Sequence, residues 1–275
     1  MTTTHIFRAA IAVSALASMS VPVQAVPVAY DMVGSSSQNL VSYVNPWTDA
    51  FSSAGDTFQK LQRGVSTTPF AVVDDSLSIF PPDTLGIIGE GNTDTFFGVV
   101  DTTNPDNSGP VSASWSFDIY GFEDLELSID MGAMGDFEAS DMFTWTSQID
   151  GGPEQVAFAS LVDEAGSQLY TLEGGTGVTL NDPMLVDGIM LSNILQTLST
   201  ELLGTGSTLL LTLTASFNSG SEALAFQNIV ITGVVAEPNV VPLPPVSILL
   251  GAGLLGFVVA RRRRVFRGEF GLLRA

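Results

Sequence analysis

The sequence predicts an all-β fold, an antiparallel β-sandwich flanked by an N-terminal signal helix and a C-terminal transmembrane helix. Three observations support this prediction. Apolar and polar residues alternate over many short segments. Clusters of Gly, Asp, Asn and Ser, which form turns, separate these segments. An uncharged apolar stretch also lies near each end of the chain.

Residues 1–25 have the composition of a secretory signal peptide. A polar start with His5 and Arg8 precedes an apolar run, and Val23 and Ala25 stand at the two small-residue positions before a cleavage site. We expect cleavage after Ala25, so that the exported chain begins at Val26. A buried N-terminal helix of a cytosolic protein is the alternative, and it is disfavoured because the run is short and ends at a proline.

The predicted sandwich domain covers residues 45–235, after an N-terminal segment at 26–44. Apolar side chains recur at every second position over 111–120 and 125–131, which is the period of a half-buried strand. Further strands are predicted at 70–73, 77–80, 95–100, 142–149, 155–161, 168–172, 208–217 and 223–232. Residues 190–203 fit a helix or a strand, and we favour a strand because a short Gly-rich turn follows it.

The C-terminal part contains a proline-rich linker at 236–245, a transmembrane helix with a basic cluster at 246–264, and a cytoplasmic tail at 265–275. The uncharged residues 246–260 alone would span about 22 Å as a helix, at about 1.5 Å per residue. This is shorter than the roughly 30 Å hydrocarbon core, unless neighbouring apolar residues and snorkelling arginines extend it. The arginines predict a cytoplasmic C-terminus and an exported body.

The sorting motif has three ordered parts: a proline-rich segment, a short apolar helix and a basic cluster. Its residues are Val241, Pro242, Leu243, Pro244 and Pro245, followed after the apolar stretch by Arg261, Arg262, Arg263 and Arg264. This arrangement resembles the VPLPA variant of the PEP-CTERM sorting signals of Gram-negative bacteria, with Pro245 in place of the usual alanine. The resemblance implies cleavage by an exosortase, a membrane-embedded cysteine transpeptidase, and delivery to the cell surface, outer membrane or extracellular matrix. A permanent inner-membrane anchor is the alternative.

Processing at both ends would leave a very acidic body. Only Lys60 and Arg63 are basic between residues 26 and 244, against 28 acidic residues, and hence the formal net charge is −26. Nucleic acid and anionic lipid are excluded as partners because the body offers no basic patch. Such a body is typical of an exported protein kept soluble by its charge, or of one that collects divalent cations.

The exported body contains neither His nor Cys, because His5 is the only histidine and the chain has no cysteine. Ser-His-Asp and Cys-His catalysis, the usual zinc sites and disulfides are therefore excluded. Pairs of carboxylates remain, as in glycoside hydrolases, and the stretches from Glu123 to Glu126 and from Asp136 to Asp141 supply examples. With so many acids such pairs arise without catalysis, so we expect a protein that is not an enzyme.

Carboxylate and amide residues are concentrated on both sides of the strand predicted at 95–100. Calcium takes six to eight oxygen ligands of this kind. The predicted calcium ligands are Glu90, Asn92, Asp94, Asp101, Asp106 and Glu222. Their spacing differs from that of an EF-hand loop, and the same residue types form turns without any ion.

The strands predicted at 208–217 and 223–232, with their Gly- and Ser-rich turns, resemble the closing strands of secreted bacterial jelly-roll modules of the carbohydrate-binding type. Fold similarity does not by itself transfer function. The leading hypothesis is a non-catalytic surface or matrix protein that binds exopolysaccharide, together with calcium. An acidic structural scaffold without a small ligand is the alternative. Sugar binding requires exposed aromatic rings, and Trp115 and Trp145 are predicted to point inward. The position of Trp47 is therefore important for this hypothesis.

Overall fold

The computed structural model describes residues 24–77 and 83–237, and within these ranges it contains sixteen β-strands and no helix. The strands belong to one compact unit that ends at Val235. They are β1 (Val26–Val33), β2 (Ser36–Gln38), β3 (Leu40–Val44), β4 (Thr57–Gln62), β5 (Thr95–Val100), β6 (Val111–Asp118), β7 (Phe122–Met134), β8 (Met142–Ile149), β9 (Gln155–Val162), β10 (Ser167–Thr171), β11 (Gly177–Asn181), β12 (Met184–Val186), β13 (Ile189–Met190), β14 (Gln196–Leu202), β15 (Thr208–Ser216) and β16 (Ala223–Val235).

Most of the strands form two seven-stranded antiparallel sheets. Sheet A has the order β14-β7-β16-β1-β2, and it also includes β5 and β4. Strand β16 is its centre, because β7 pairs along one side of it while β5 and β1 pair in turn along the other. Sheet B has the order β13-β12-β9-β8-β15-β6-β3, and β10 and β11 form a separate hairpin.

The main hydrophobic core lies between the two sheets. Alternation along the strands builds it: in β6, Val111, Ala113, Trp115 and Phe117 are buried, whereas the serines between them are partly exposed. Trp115 of β6 and Trp145 of β8 lie in this core with ring centroids 5.1 Å apart. Buried aromatic side chains of this size dominate the apolar surface that folding removes from water.

A second, smaller core lies on the other face of sheet A. It contains Leu61, Phe96 and Ala225 of the sheet, together with residues of the segments 71–73 and 87–88 and of the hairpin β10–β11. Arg63 connects these two segments by donating hydrogen bonds to the carbonyls of Asp74 and Ile88, at 3.0 and 2.7 Å. Sheet A is therefore buried on both faces over this region.

The structure confirms the predicted all-β class and most of the predicted strands. Strands β5 and β8 have the predicted bounds, and the ambiguous segment 190–203 contains strand β14. No strand forms at 70–73, because this apolar run packs as a turn on the outer face of sheet A and only Val73 makes a bridge, to Ile88. Of the segment predicted at 77–80, residues 78–80 lie outside the described residues.

Strands β1 to β3 occupy the segment that the sequence analysis placed before the sandwich domain. Strand β1 pairs with β16 in sheet A, and β3 pairs with β6 in sheet B. Residues 1–23 and 238–275, with most of the predicted signal peptide and all of the sorting motif and transmembrane helix, lie outside the described residues. Between residues 24 and 237, leaving out 78–82, no helix is long and apolar enough to cross a membrane.

Candidate cation-binding site

One end of sheet A brings three acidic segments side by side. Ala223, the first residue of β16, pairs with Val100 at the end of β5 and with Met134 at the end of β7. The residues just beyond these pairs, Asp101 and Glu222 among them, therefore lie next to one another where the strands end. The segment 135–141, which connects β7 to β8, adds further carboxylates at the same end.

Three carboxylates from two of these segments form a cluster, which we call the carboxylate cluster. Its members are Glu138, Asp141 and Glu222, and one carboxylate oxygen from each lies within 4.8 Å of the others. Glu222 is 1% exposed and Asp141 is 3% exposed, whereas Glu138 is open to solvent. The cluster is thus a buried pair with one exposed carboxylate beside it.

Local backbone structure holds the carboxylate cluster together. The Glu138 N–H donates to Asp141 Oδ2 at 2.7 Å, and the Asp141 N–H donates to the Glu138 carbonyl at 2.8 Å, which closes a tight turn. Gly135 permits the close approach of the third member, because a Cβ at this position would lie 3.0 Å from Glu222 Cα. The buried rings of Phe137 and Phe217 pack edge to face nearby, with centroids 6.0 Å apart.

Two oxygens of the cluster are buried without a hydrogen-bond donor. These are Asp141 Oδ1 and Glu222 Oε2. Buried polar atoms nearly always have a partner, and an unsatisfied acceptor costs about 1–3 kcal/mol, more when it carries charge. As carboxylates all three groups can only accept hydrogen bonds, so they cannot satisfy one another unless a proton or a cation lies between them.

Burial and mutual repulsion raise the pKa values of the buried pair. Burial is the main cause that raises the pKa of Glu222 to about 9, and the negative charges of Asp141 and Glu138 add to it. Burial likewise raises the pKa of Asp141 to about 6, although the hydrogen bond from the Glu138 N–H opposes the shift. Without a cation, Glu222 therefore keeps its proton at neutral pH, and a divalent cation would replace that proton.

The donor set suits calcium. All the ligand atoms are carboxylate oxygens, which hard cations prefer, and three carboxylates can supply up to six of the six to eight oxygens that calcium takes. Oxygens at about 2.3–2.6 Å from one ion lie at most about 5 Å from each other. The separations within the carboxylate cluster, all below 4.8 Å, meet this limit.

The structure divides the six calcium ligands predicted from the sequence into two groups. Glu222, Asp101 and Asp106 lie at the end of sheet A that holds the carboxylate cluster. The second group, Glu90, Asn92 and Asp94, precedes β5 and lies at the other end of that strand. Strand β5 has six residues of about 3.3 Å each, so the two groups are about 20 Å apart. One ion therefore cannot bind all six residues.

The other predicted ligands have local partners. Asn92 donates to Gln227 Oε1 at 3.0 Å, Asp94 N donates to Asn92 Oδ1, and the N–H of Glu90 donates to Glu173 Oε2. Asp106 Oδ2 accepts one hydrogen bond from the Ser52 N–H and another from Ser52 Oγ. These two hydrogen bonds lower the pKa of Asp106.

Asp101 lies beside the carboxylate cluster in the end row of sheet A, and its Oδ1 is buried without a partner. Burial, followed by the charge of Asp56, raises the pKa of Asp101. Glu138 and Asp141 are not among the calcium ligands predicted from the sequence. Their only sequence mark is an acid-x-x-acid spacing in the turn after a strand, which is common in an acidic chain.

Both tryptophans that were predicted to point inward do so. Trp115 and Trp145 are fully buried, whereas Trp47 is half-buried and stacks on Phe51 with centroids 6.4 Å apart and planes 17° from parallel. One tryptophan thus remains near the surface, beside the loops that carry Asp106 and its neighbours.

Comparisons with known proteins give distant structural similarity alone. No family model matches the chain, and no curated protein is significantly similar to it. Solved structures with a similar fold include the N-terminal CBM22-1–GH10 modules of the endo-1,4-beta-D-xylanase 10B from Clostridium thermocellum, complexed with xylohexaose, at 11% identity and a TM-score of 0.33, over 79% of this chain and 30% of that one. The chain therefore spans less than a third of this relative.

Two further structures are similar to the chain. They are the CBM22-1 xylan-binding domain of Xyn10C from Paenibacillus barcinonensis, at 9% identity and a TM-score of 0.27 over 72% of this chain and 96% of that one, and the carbohydrate recognition domain of Emp47p, at 12% identity and a TM-score of 0.24 over 50% and 83%. At these TM-scores the similarity decides nothing about function, and no family is assigned to the chain.

Proposed function

We propose that this chain is an exported, non-catalytic protein of the cell surface or extracellular matrix, with a jelly-roll-type sandwich that binds calcium through Glu138, Asp141 and Glu222. The observation that supports this proposal is the pair of buried oxygens, Asp141 Oδ1 and Glu222 Oε2, that have no donor inside a cluster of three carboxylates. A cation satisfies both oxygens and removes the repulsion between the groups.

The proposed location agrees with a calcium site of modest affinity. The signal peptide would direct the chain to the secretion machinery, and the sorting motif with Arg261–Arg264 would present it to an exosortase-type enzyme while the C-terminal helix is in the membrane. Extracellular modules bind calcium with dissociation constants of about 0.1–1 mM. The site would then be filled only after export.

Exopolysaccharide is the proposed partner of the exported body. The strongly negative body disfavours anionic partners, and Trp47 with Phe51 supplies half-exposed aromatic surface at the acidic end of sheet A. The protein is proposed to bind this partner without cleaving it. An acidic scaffold without a sugar ligand would bind no polysaccharide and would still bind calcium.

Thermal unfolding of the full chain in calcium and in chelator tests the cation site. A ligand at 100 times its dissociation constant stabilises the native state by about 2.7 kcal/mol, which raises Tm by about 5–10 °C in a domain of this size. Glu222→Gln should abolish this shift. Glu154→Gln removes the same charge from an exposed loop and should keep it. Equal Tm values in calcium and chelator for the unchanged chain would contradict the proposal.

Intact-mass measurement of the protein recovered from its host surface tests the processing. We expect the mass of a chain that starts at Val26 and lacks the residues after the proline motif. A chain with Arg261–Arg264 replaced by alanine should keep its tail. If the unchanged chain also keeps its tail, the C-terminal segment is a permanent anchor.

A further inference from the structure

A small depression lies at the edge of sheet A, at the same end as the carboxylate cluster. It forms between strand β4, which pairs only with β5 in the described ranges, the loop that precedes β4, and the segment 67–69 that follows it. Its volume is about 150 Å³, and its lining residues include Asp49, Phe51, Asp56, Thr57, Gln59 and Thr67. The carboxylate cluster shares none of these residues.

The wall of the depression combines an aromatic ring with free polar groups. Phe51 is half-buried, and Trp47 stacks behind it. The side chains of Asp49, Gln59 and Thr67 make no hydrogen bond to any residue that the structure describes. Binding sites for small polar molecules show this combination of apolar wall and few convergent polar groups.

The floor of the depression contains a buried hydroxyl group without a hydrogen-bond partner. Thr57 is 2% exposed, and its Oγ1 has no hydrogen-bond partner. A buried hydroxyl usually donates and accepts, and leaving it unpaired is unfavourable. Gly98 of the neighbouring strand β5, which lies close to the Thr57 methyl group, has no side chain that could satisfy it.

The loop that forms the wall is held in place before any ligand binds. Asn45 Nδ2 donates to the Phe58 carbonyl at 2.7 Å, which ties the start of the loop to β4. At its other end Ser52 donates from both N and Oγ to Asp106 Oδ2, and Asn104 Nδ2 donates to Asp56 Oδ2 at 3.0 Å. Binding therefore costs little loop ordering.

Charge and size limit the ligand. The depression has carboxylates from Asp49 and Asp56 and no Lys or Arg among its lining residues, so an anionic ligand is repelled. Carboxylates and the Gln59 amide oxygen accept hydrogen bonds from hydroxyl groups. A volume of about 150 Å³ is half the lower limit of about 300 Å³ for drug-sized ligands, so it accommodates a single ring.

We propose that this depression binds one uncharged hexose ring of a polysaccharide, with the apolar C–H face of the sugar on Phe51 and its hydroxyl groups on Asp49, Asp56 and Gln59. This inference rests on the proposed role in exopolysaccharide binding. It places the sugar-binding site at this end of sheet A. It also limits the ligands to neutral sugars, so uronate-rich and sulfated polymers are excluded.

Isothermal titration of the full chain with neutral hexasaccharides of glucose, mannose and galactose tests the proposal, all in saturating calcium. We expect at least one neutral hexasaccharide to bind and hexagalacturonate not to bind. Gln59→Leu keeps the side-chain volume but removes the amide, and it should lower the affinity about tenfold or more. Gln148→Leu, on the outer face of sheet B, is the matched control and should leave the affinity unchanged.

Phe51→Ala provides a second test, read together with its unfolding curve because this ring also packs against the main core. Loss of affinity with retained folding supports the site. If the unchanged chain binds a neutral sugar and Gln59→Leu and folded Phe51→Ala bind it equally well, the location is wrong while the polysaccharide role stands. If no neutral sugar binds, both the site and that role are wrong, whereas the calcium shift in Tm is measured independently.

Discussion

Trp115 Nε1 donates a hydrogen bond of 2.8 Å to Asp31 Oδ2 across the core of the sandwich. The two residues lie in different sheets, on β6 and β1. The same carboxylate oxygen lies 2.5 Å from Lys60 Nζ, which also lies 4.1 Å from the centre of the Tyr43 ring. One of the two basic residues of the body is thus used to neutralise a buried acid.

Replacing one member of this group should destabilise the fold strongly. Asp31→Leu leaves the Lys60 ammonium and the Trp115 N–H without their partner, and we expect a loss of about 3–5 kcal/mol in the free energy of unfolding. Asp31→Leu with Lys60→Met removes both charges and should recover part of this loss. Urea unfolding of the single and double variants measures the coupling, and strictly additive losses would show that the pair does not interact.

The carboxylate cluster should make the metal-free protein less stable as pH rises. The folded-state pKa values of Glu222 and Asp141, about 9 and about 6, lie above their ordinary values of 4.5 and 3.8, so the folded state binds more protons than the unfolded state in between. In chelator we expect the contribution of the cluster to be greatest below about pH 4, and Tm to fall as pH rises from there towards 9. Saturating calcium should flatten the decline.

Gly135→Ala should weaken calcium binding through sterics alone. The added Cβ would lie 3.0 Å from Glu222 Cα and 3.1 Å from both Glu222 Cγ and the Phe137 ring, so the backbone of one segment has to move. We expect a lower Tm and at least a tenfold loss of calcium affinity by titration. Gly220→Ala lies close in the chain to Glu222, meets no atom within 4 Å, and should change neither quantity.

Arg63 should be essential for the second core of sheet A. Its guanidinium donates to the carbonyls of Asp74 and Ile88 and pairs with the Asp75 carboxylate, a geometry that a lysine cannot reproduce. We expect Arg63→Lys to cost about 1–3 kcal/mol in urea unfolding, because buried carbonyls lose their donors. Asp75→Asn removes the ion pair alone and should cost less. Equal costs would assign the stabilisation to the ion pair.

Much of the fold could be predicted from alternation of apolar and polar residues. Strands β6, β8 and β15 were predicted within two residues of their bounds because one face of each is buried and the other is more exposed. Strand β5 was predicted from its short apolar run, which is buried on both faces. Strand β4 was missed because its core positions mix Phe58 with Lys60, whose charge is satisfied only by Asp31 from another strand. A pattern along one segment contains no information about such a partner.

The candidate sites were predictable only in part. The excess of carboxylates indicated a cation site and Glu222 was included, but the sequence grouped it with residues that β5 carries to the opposite end of the sheet. Glu138 and Asp141 join Glu222 through the end row of β7, β16 and β5, a relationship set by strand pairing between residues more than 80 positions apart.

The sequence by itself determined the strand class of the body, its extreme negative charge and the absence of His and Cys chemistry from residues 26–275, because these depend on composition and on local periodicity. Tertiary structure alone decided which acids are buried together, which of the tryptophans remains near the surface, and where a loop and an edge strand enclose a depression. The physical reason is that desolvation and charge repulsion act between side chains that strand register brings within a few ångströms, whatever their separation along the chain.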